Sequence, residues 1–182
     1  MFCIARTIVC LFVVSSCGMA TAESRSTPTA PPGVKTIIFV RHAEADSTQH
    51  GGDPVLSVDG RARSIELART LTDTPLHSVY STHYQRNRQT AEPLPRHAGE
   101  KPTVIDDVAG TLSALRAEPW GTTVLVIGHS NTVPDLICGL TGQTLLDNEP
   151  IVFDRMWIVT MTRERASSLL RLHYGAPVAV TR

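Results

Sequence analysis

The chain has 182 residues, 42% of them hydrophobic, with 17 basic side chains against 17 acidic ones. Balanced charge argues against a nucleic-acid footprint and against a polybasic membrane patch. Cys3, Cys10 and Cys17 crowd near the start and only Cys138 stands in the remainder, so that part must hold together through its core rather than an internal disulfide.

Residues 1–22 read as an export leader. Arg6 gives a small positive start, and Ile8 to Val14 form an apolar stretch too short to span a bilayer. Two processing routes fit. Ala20-Thr21-Ala22 is a small-x-small cleavage site, whereas Val14-Ser15-Ser16-Cys17 resembles a lipobox that would lipidate Cys17. Either route predicts an exported protein, periplasmic or anchored to the outer membrane, with Cys17 as its one expected membrane attachment. Residues 23–34 are rich in Ser, Thr, Pro and Ala and read as a flexible linker. Residues 35–182 are about right for one domain with its own core.

Thr36 to Val40 is an apolar, β-branched run that predicts a buried strand, and it ends in Arg41-His42-Ala43-Glu44. Ala45 to Val55 predicts a loop over the mouth of a site, with Asp46, Ser47 and His50 as side chains that could reach it. Ser57 starts a helix to about Leu71. Its expected buried face is Ala62, Ile65, Ala68 and Leu71, and its expected outer face includes Arg61, Arg63, Glu66 and Arg69. Ser78-Val79-Tyr80 is the next strand. Thr82 followed by Gln85 has the spacing of a capping box, which puts Arg86 in the first turn of a helix. A helix N-terminus favours anions, and an arginine fork matches phosphate oxygens.

Thr103 to Ile105 predicts a short strand followed by Asp106-Asp107, then a helical segment with Val108, Leu112 and Leu115. Thr122 to Ile127 is a second buried strand, and it ends in Gly128-His129-Ser130. Asn131 to Leu140 predicts a helix that tolerates Pro134 in its first turn. Cys138, between apolar neighbours, reads as a small buried residue. Arg155 to Thr162 and Ser167 to Tyr174 predict a β-hairpin. The alternation implies a three-layer α/β/α sandwich with a mostly parallel sheet and a C-terminal antiparallel hairpin.

Four ordered pieces resemble the histidine phosphatase superfamily, the phosphoglycerate-mutase-like branch 1: Arg41-His42-Ala43-Glu44, Leu56-Ser57 with Gly60, Tyr80-Ser81 with Arg86-Asn87-Arg88-Gln89-Thr90-Ala91, and Gly128-His129-Ser130. The resemblance covers about Lys35 to Tyr174. It implies the same fold and a phosphatase that works through a phosphohistidine on His42. It also implies Arg41 and Arg86 as the phosphate clamp and His129 as a further donor. Glu44, His83 and Ser130 are candidate substrate contacts. No cofactor or metal is expected, since no Cys-x-x-Cys or suitably spaced histidine set occurs.

The chain departs from the family in its proton donor. No glutamate stands in the usual setting between Arg86 and His129. Asp107 is taken as the catalytic acid, with Asp106, Glu118 or no acid at all as alternatives. The expected substrate is a small phosphorylated molecule. A phosphatase of lipopolysaccharide sugars and a catalytically weak phosphate-ester binding module are the competing readings, and mutase activity is disfavoured by the missing acid.

Overall fold

The computed structural model describes residues 33–95, 101–145, 152–164 and 167–178. The expected leader, and all of the linker but Gly33 and Val34, lie outside the described residues. In chain order the elements are β1 (Val34–Arg41), α1 (Val58–Thr70), β2 (Leu76–Ser81), α2 (Gln85–Ala91), β3 (Thr103–Val104), α3 (Val108–Ala117), β4 (Thr123–Gly128), α4 (Thr132–Thr141), β5 (Arg155–Thr162) and β6 (Ser168–His173). Among the described residues they form a six-stranded sheet in the order β3-β2-β4-β1-β5-β6. β1, β4, β2 and β3 run parallel, and β5 and β6 close one edge antiparallel.

The central strands are apolar on both faces because helices cover both. Ile37 and Phe39 of β1 point into a core shared with Leu115 of α3 and Val133, Leu136 and Ile137 of α4. Their neighbours Ile38 and Val40 point into the opposite core, with Leu67 and Ala68 of α1 and Ala91 of α2. Burial on both sides explains why β1 and β4 read as continuous hydrophobic runs rather than alternating ones. The expected three-layer sandwich is what the chain adopts.

Two expectations about helices need correction. The buried face of α1 is Gly60, Arg63, Ser64, Leu67 and Ala68, while Ile65 is 59% exposed. The expected outer residue Arg63 is therefore an inner one. Gly60 sets the phase, because a Cβ there would collide with the Glu44 carbonyl, so the helix must turn this residue toward β1. The second correction concerns α2. Tyr84, not Thr82, is its N-cap residue and makes no side-chain cap bond. The cap comes from another segment, as Asp53 Oδ1 accepts the Gln85 amide at 2.7 Å. Ser57 does cap α1 as expected, accepting from Gly60 N at 3.0 Å. Cys138 on α4 is only partly buried.

Candidate active site

β1 and β4 are adjacent and parallel, and Arg41 is in register with Gly128. Their carboxyl ends therefore deliver His42 and His129 to the same crevice, the usual ligand position of an open α/β sheet. The two imidazole rings meet edge to face, centroids 5.2 Å apart. Gly128 is required here. A Cβ would press on Val133 Cγ2 at 2.9 Å and Thr132 Oγ1 at 3.0 Å, where α4 starts.

The loop after β1 is fixed by its backbone. His42 N donates to Gly128 O at 2.9 Å, and Ala43 N donates to Thr90 Oγ1 at 3.0 Å. The Thr90 hydroxyl in turn donates to Arg86 O at 2.7 Å. Asn87, fully buried, sends its Nδ2 to Ile127 O at 2.8 Å. Gln89 Oε1 accepts from Leu56 N at 2.7 Å. The polar run Asn87 to Thr90 is thus a set of ties from α2 to both strand ends and to the start of α1. It holds Arg86 in place relative to the two histidines.

Each arginine lies over an aromatic ring. The Arg41 guanidinium carbon is 3.9 Å from the Phe153 centroid, and that of Arg86 is 4.2 Å from the Tyr84 centroid. Such stacking stabilises a cation and fixes the plane of its fork. Tyr84 also meets His129 edge-on at 5.3 Å. Phe153, Tyr84 and Asp53 belong to the site although no motif in the sequence marks them. Asp53 Oδ1 approaches Arg86 Nη1 at 3.9 Å.

Both histidines are neutral at pH 7. Burial first, then Arg41, His129 and Arg86, lower the pKa of His42 to about 4 against the lift from Ala43 O. Burial, Arg86, Arg41 and His83 lower that of His129 to about 4, opposed by Asp106. His42 Nδ1 lies 2.8 Å from Ala43 O. A carbonyl only accepts, so Nδ1 carries the proton and Nε2 keeps its lone pair. His129 Nε2 is 3.0 Å from Thr82 Oγ1, which is where the expected helix cap is instead employed.

The depressed values have a consequence for stability. Unfolded histidine titrates near 6.5, so between about pH 4 and about pH 6.5 the unfolded chain binds more protons than the folded one. Stability from the neutral buried ring is complete above that window and lost as pH falls through it. For His42, 6% exposed, the loss reaches at most about 3 kcal/mol. Urea unfolding at pH 7 and pH 4.5 should show the drop, and His42→Asn should flatten it. An equal drop in the variant would refute this origin.

The remaining candidates separate clearly. Glu44 is not placed as a substrate contact. It accepts from Arg63 Nε at 2.9 and 3.0 Å and from Nη2 at 2.7 Å. Arg63 also donates to the carbonyls of Tyr174 and Ala176. This cluster straps the segment after β6 to the loop that carries His42. Arg63→Ala should cost about 3 kcal/mol, typical of breaking a largely buried pair, read as a lowered urea midpoint. Asp107 is the N-cap of α3, its Oδ1 accepting from Gly110 N at 2.6 Å. Its carboxylate serves the helix, which corrects its assignment as the site's acid. Glu118 lies at the other end of α3, buried, and accepts from Tyr80 Oη at 2.7 Å. Ser130 is exposed. In the mouth loop Ser47 and His50 are exposed, and Asp46 is occupied by Thr48. His83 is paired with Asp106 at 2.9 Å on the rim beside His129.

Residues 37–109 match the model of the histidine phosphatase superfamily (branch 1). No curated protein sequence matches the chain. Solved structures do match. The protein histidine phosphatase SixA complexed with tungstate is 21% identical with a TM-score of 0.64, over 76% of this chain and 96% of that one. The protein assigned as the phosphohistidine phosphatase SixA of Agrobacterium tumefaciens is 21% identical with a TM-score of 0.60, over 84% and 100%. Phosphoglycerate mutase from Plasmodium falciparum is 16% identical with a TM-score of 0.54, over 82% and 98%. At these identities the likeness is one of fold. The matched segment, which carries Arg41, His42 and Arg86, is where the chain is similar to the histidine phosphatase superfamily, branch 1.

Proposed function

We propose that the chain hydrolyses a phosphorylated substrate through a phosphohistidine on His42. The observation that carries this is the Nδ1 contact to Ala43 O, which leaves the Nε2 lone pair available beside Arg41, Arg86 and His129. Phosphoryl transfer asks for positioning and charge neutralisation more than for covalent help from the protein. Arg41 and Arg86 supply positive charge beside both histidines, and neutral His129 adds a hydrogen bond. Nε2 forms a bond to phosphorus as the bond to the leaving group breaks. Water then displaces the histidine and releases phosphate.

The substrate is a phosphate ester of a small molecule or a phosphohistidine. The second alternative is favoured by a specific observation: no carboxylate among the described residues is free to act as a classical acid in the crevice, and a good leaving group needs none. The test is turnover of p-nitrophenyl phosphate and of phosphohistidine by the purified domain, with alkaline quench and mass spectrometry of the protein. A phosphoryl adduct on the His42 peptide is expected. Turnover without any adduct would speak for direct attack by water and against this route.

The Arg6 to Ala22 pattern supports export as part of the same proposal. The mature protein is expected to begin at Glu23 or at a diacylated Cys17, read by N-terminal mass spectrometry. An intact Met1 in cells would reject both.

A further inference from the structure

Neither acid of Asp106-Asp107 is built to give up a proton. Asp107 caps α3 through Gly110 N. Asp106 Oδ1 accepts two hydrogen bonds from one residue, His83 N at 2.9 Å and His83 Nδ1 at 2.9 Å. Those bonds favour the ionised carboxylate and hold the Asp106 pKa below its ordinary value. An ionised aspartate that orients an imidazole by Nδ1 is the arrangement that makes a histidine a proton-transfer group. The far nitrogen, Nε2, is left to face outward from that bond.

The ring's position fits such a task. His83 stacks on Tyr84 with centroids 4.1 Å apart. Tyr84 in turn lies against Arg86 and His129. His83 is therefore beside His129 at the rim of the crevice, its side chain 57% exposed where His42 is buried. In an in-line displacement the leaving group departs on the side opposite the nucleophile. The charged and titratable groups that face His83 are Asp106 from the β3–α3 connection, Tyr84 from the start of α2 and His129 from the end of β4, with Arg86 beyond the Tyr84 ring.

We propose that His83 is the proton donor to the leaving group and that Asp106 is its positioning residue. This rests on the phosphatase reading above. The step balances. His42 Nε2 forms the bond to phosphorus, the bond from phosphorus to the leaving oxygen breaks, and that oxygen takes the proton from His83 Nε2. Water then attacks phosphorus and returns a proton to His83 Nε2, while the bond electrons return to His42 Nε2.

The experiment compares an alkyl phosphate with p-nitrophenyl phosphate across pH in the full domain, for wild type, His83→Gln and Asp106→Asn. An alkoxide must be protonated as it leaves and nitrophenolate need not be. His83→Gln should slow the alkyl ester by about 10²–10⁴-fold and the nitrophenyl ester by less than about tenfold. At high pH wild-type turnover of the alkyl ester should fall relative to that of the nitrophenyl ester, and His83→Gln should lack that difference. Asp106→Asn should slow the alkyl ester selectively, in the same sense as His83→Gln but less, because the contact that orients the imidazole is weakened. Free imidazole should partly restore the His83→Gln rate on the alkyl ester. If both esters slow equally, or the alkyl ester is unaffected, the dyad is not the donor while the phosphatase reading stands. If the wild type turns over neither ester and takes no phosphoryl group on His42, the phosphatase reading fails and the dyad with it.

Discussion

His42→Ala should abolish turnover of every phosphate substrate alike, whatever its leaving group. Loss of a nucleophile that forms a covalent intermediate typically costs on the order of 10⁴–10⁶-fold. The uniformity is the informative part. A residue that helps only departure of the leaving group discriminates between esters, whereas one that forms the bond to phosphorus cannot. The ring is buried, held by its own backbone amide on Gly128 O and by Nδ1 on Ala43 O. His42→Asn is therefore the better companion variant, since it keeps a polar group near that carbonyl and leaves a smaller void. Both variants should still bind inorganic phosphate through Arg41 and Arg86, and phosphate should still raise their thermal midpoints. A variant that folds, binds phosphate and retains turnover within about tenfold of wild type would remove His42 from the nucleophile's place.

Much of the fold was legible because its signals are local. β1 and β4 are buried on both faces, so their apolar runs stand out without any partner being known. The β5–β6 hairpin alternates around a short connection and reads the same way. The strand-end histidines were legible for a related reason: a polar residue after an apolar run marks where the chain leaves the sheet. What escaped was decided by tertiary partners. Arg63 has the composition of a surface residue, and only the position of Glu44, 19 residues earlier in the chain, turns it inward. Thr82 and Gln85 have capping-box spacing, but the cap is supplied by Asp53 and Thr82 is drawn to His129. Asp106 and Asp107 were both attractive acids on sequence because they follow a strand, and Asp107 also precedes a helix. A residue just before a helix is also where a cap belongs, and that role prevails.

Arg86→Ala should reduce kcat/KM by about 10²–10³-fold, the range for removing one preorganised group that stabilises developing charge. The reduction should appear in kcat as well as KM, because the charge to be neutralised grows as phosphorus transfers. Arg86→Lys should recover only part of it. A lysine restores charge but not the two-pronged fork, and it cannot take the planar stack on Tyr84. The pH profile gives an independent reading. Arg86 is among the charges that lower the pKa of both His42 and His129, though burial is the larger cause for each. Removing it should therefore move the acid limb of kcat/KM upward from about 4, but not as far as the ordinary value of histidine near 6.5. The sign follows from electrostatics alone: without a neighbouring cation, each imidazole holds its proton to higher pH, so neutral nucleophile is lost sooner on acidification. Asp53 offers a control, since its carboxylate is 3.9 Å from Arg86 and caps α2 rather than facing phosphate. Asp53→Asn keeps an oxygen for the Gln85 amide and removes a negative charge, so phosphate should bind more tightly and the acid limb should stay low. An acid limb unmoved by Arg86→Ala would show that Arg86 does not act on the histidines through the crevice.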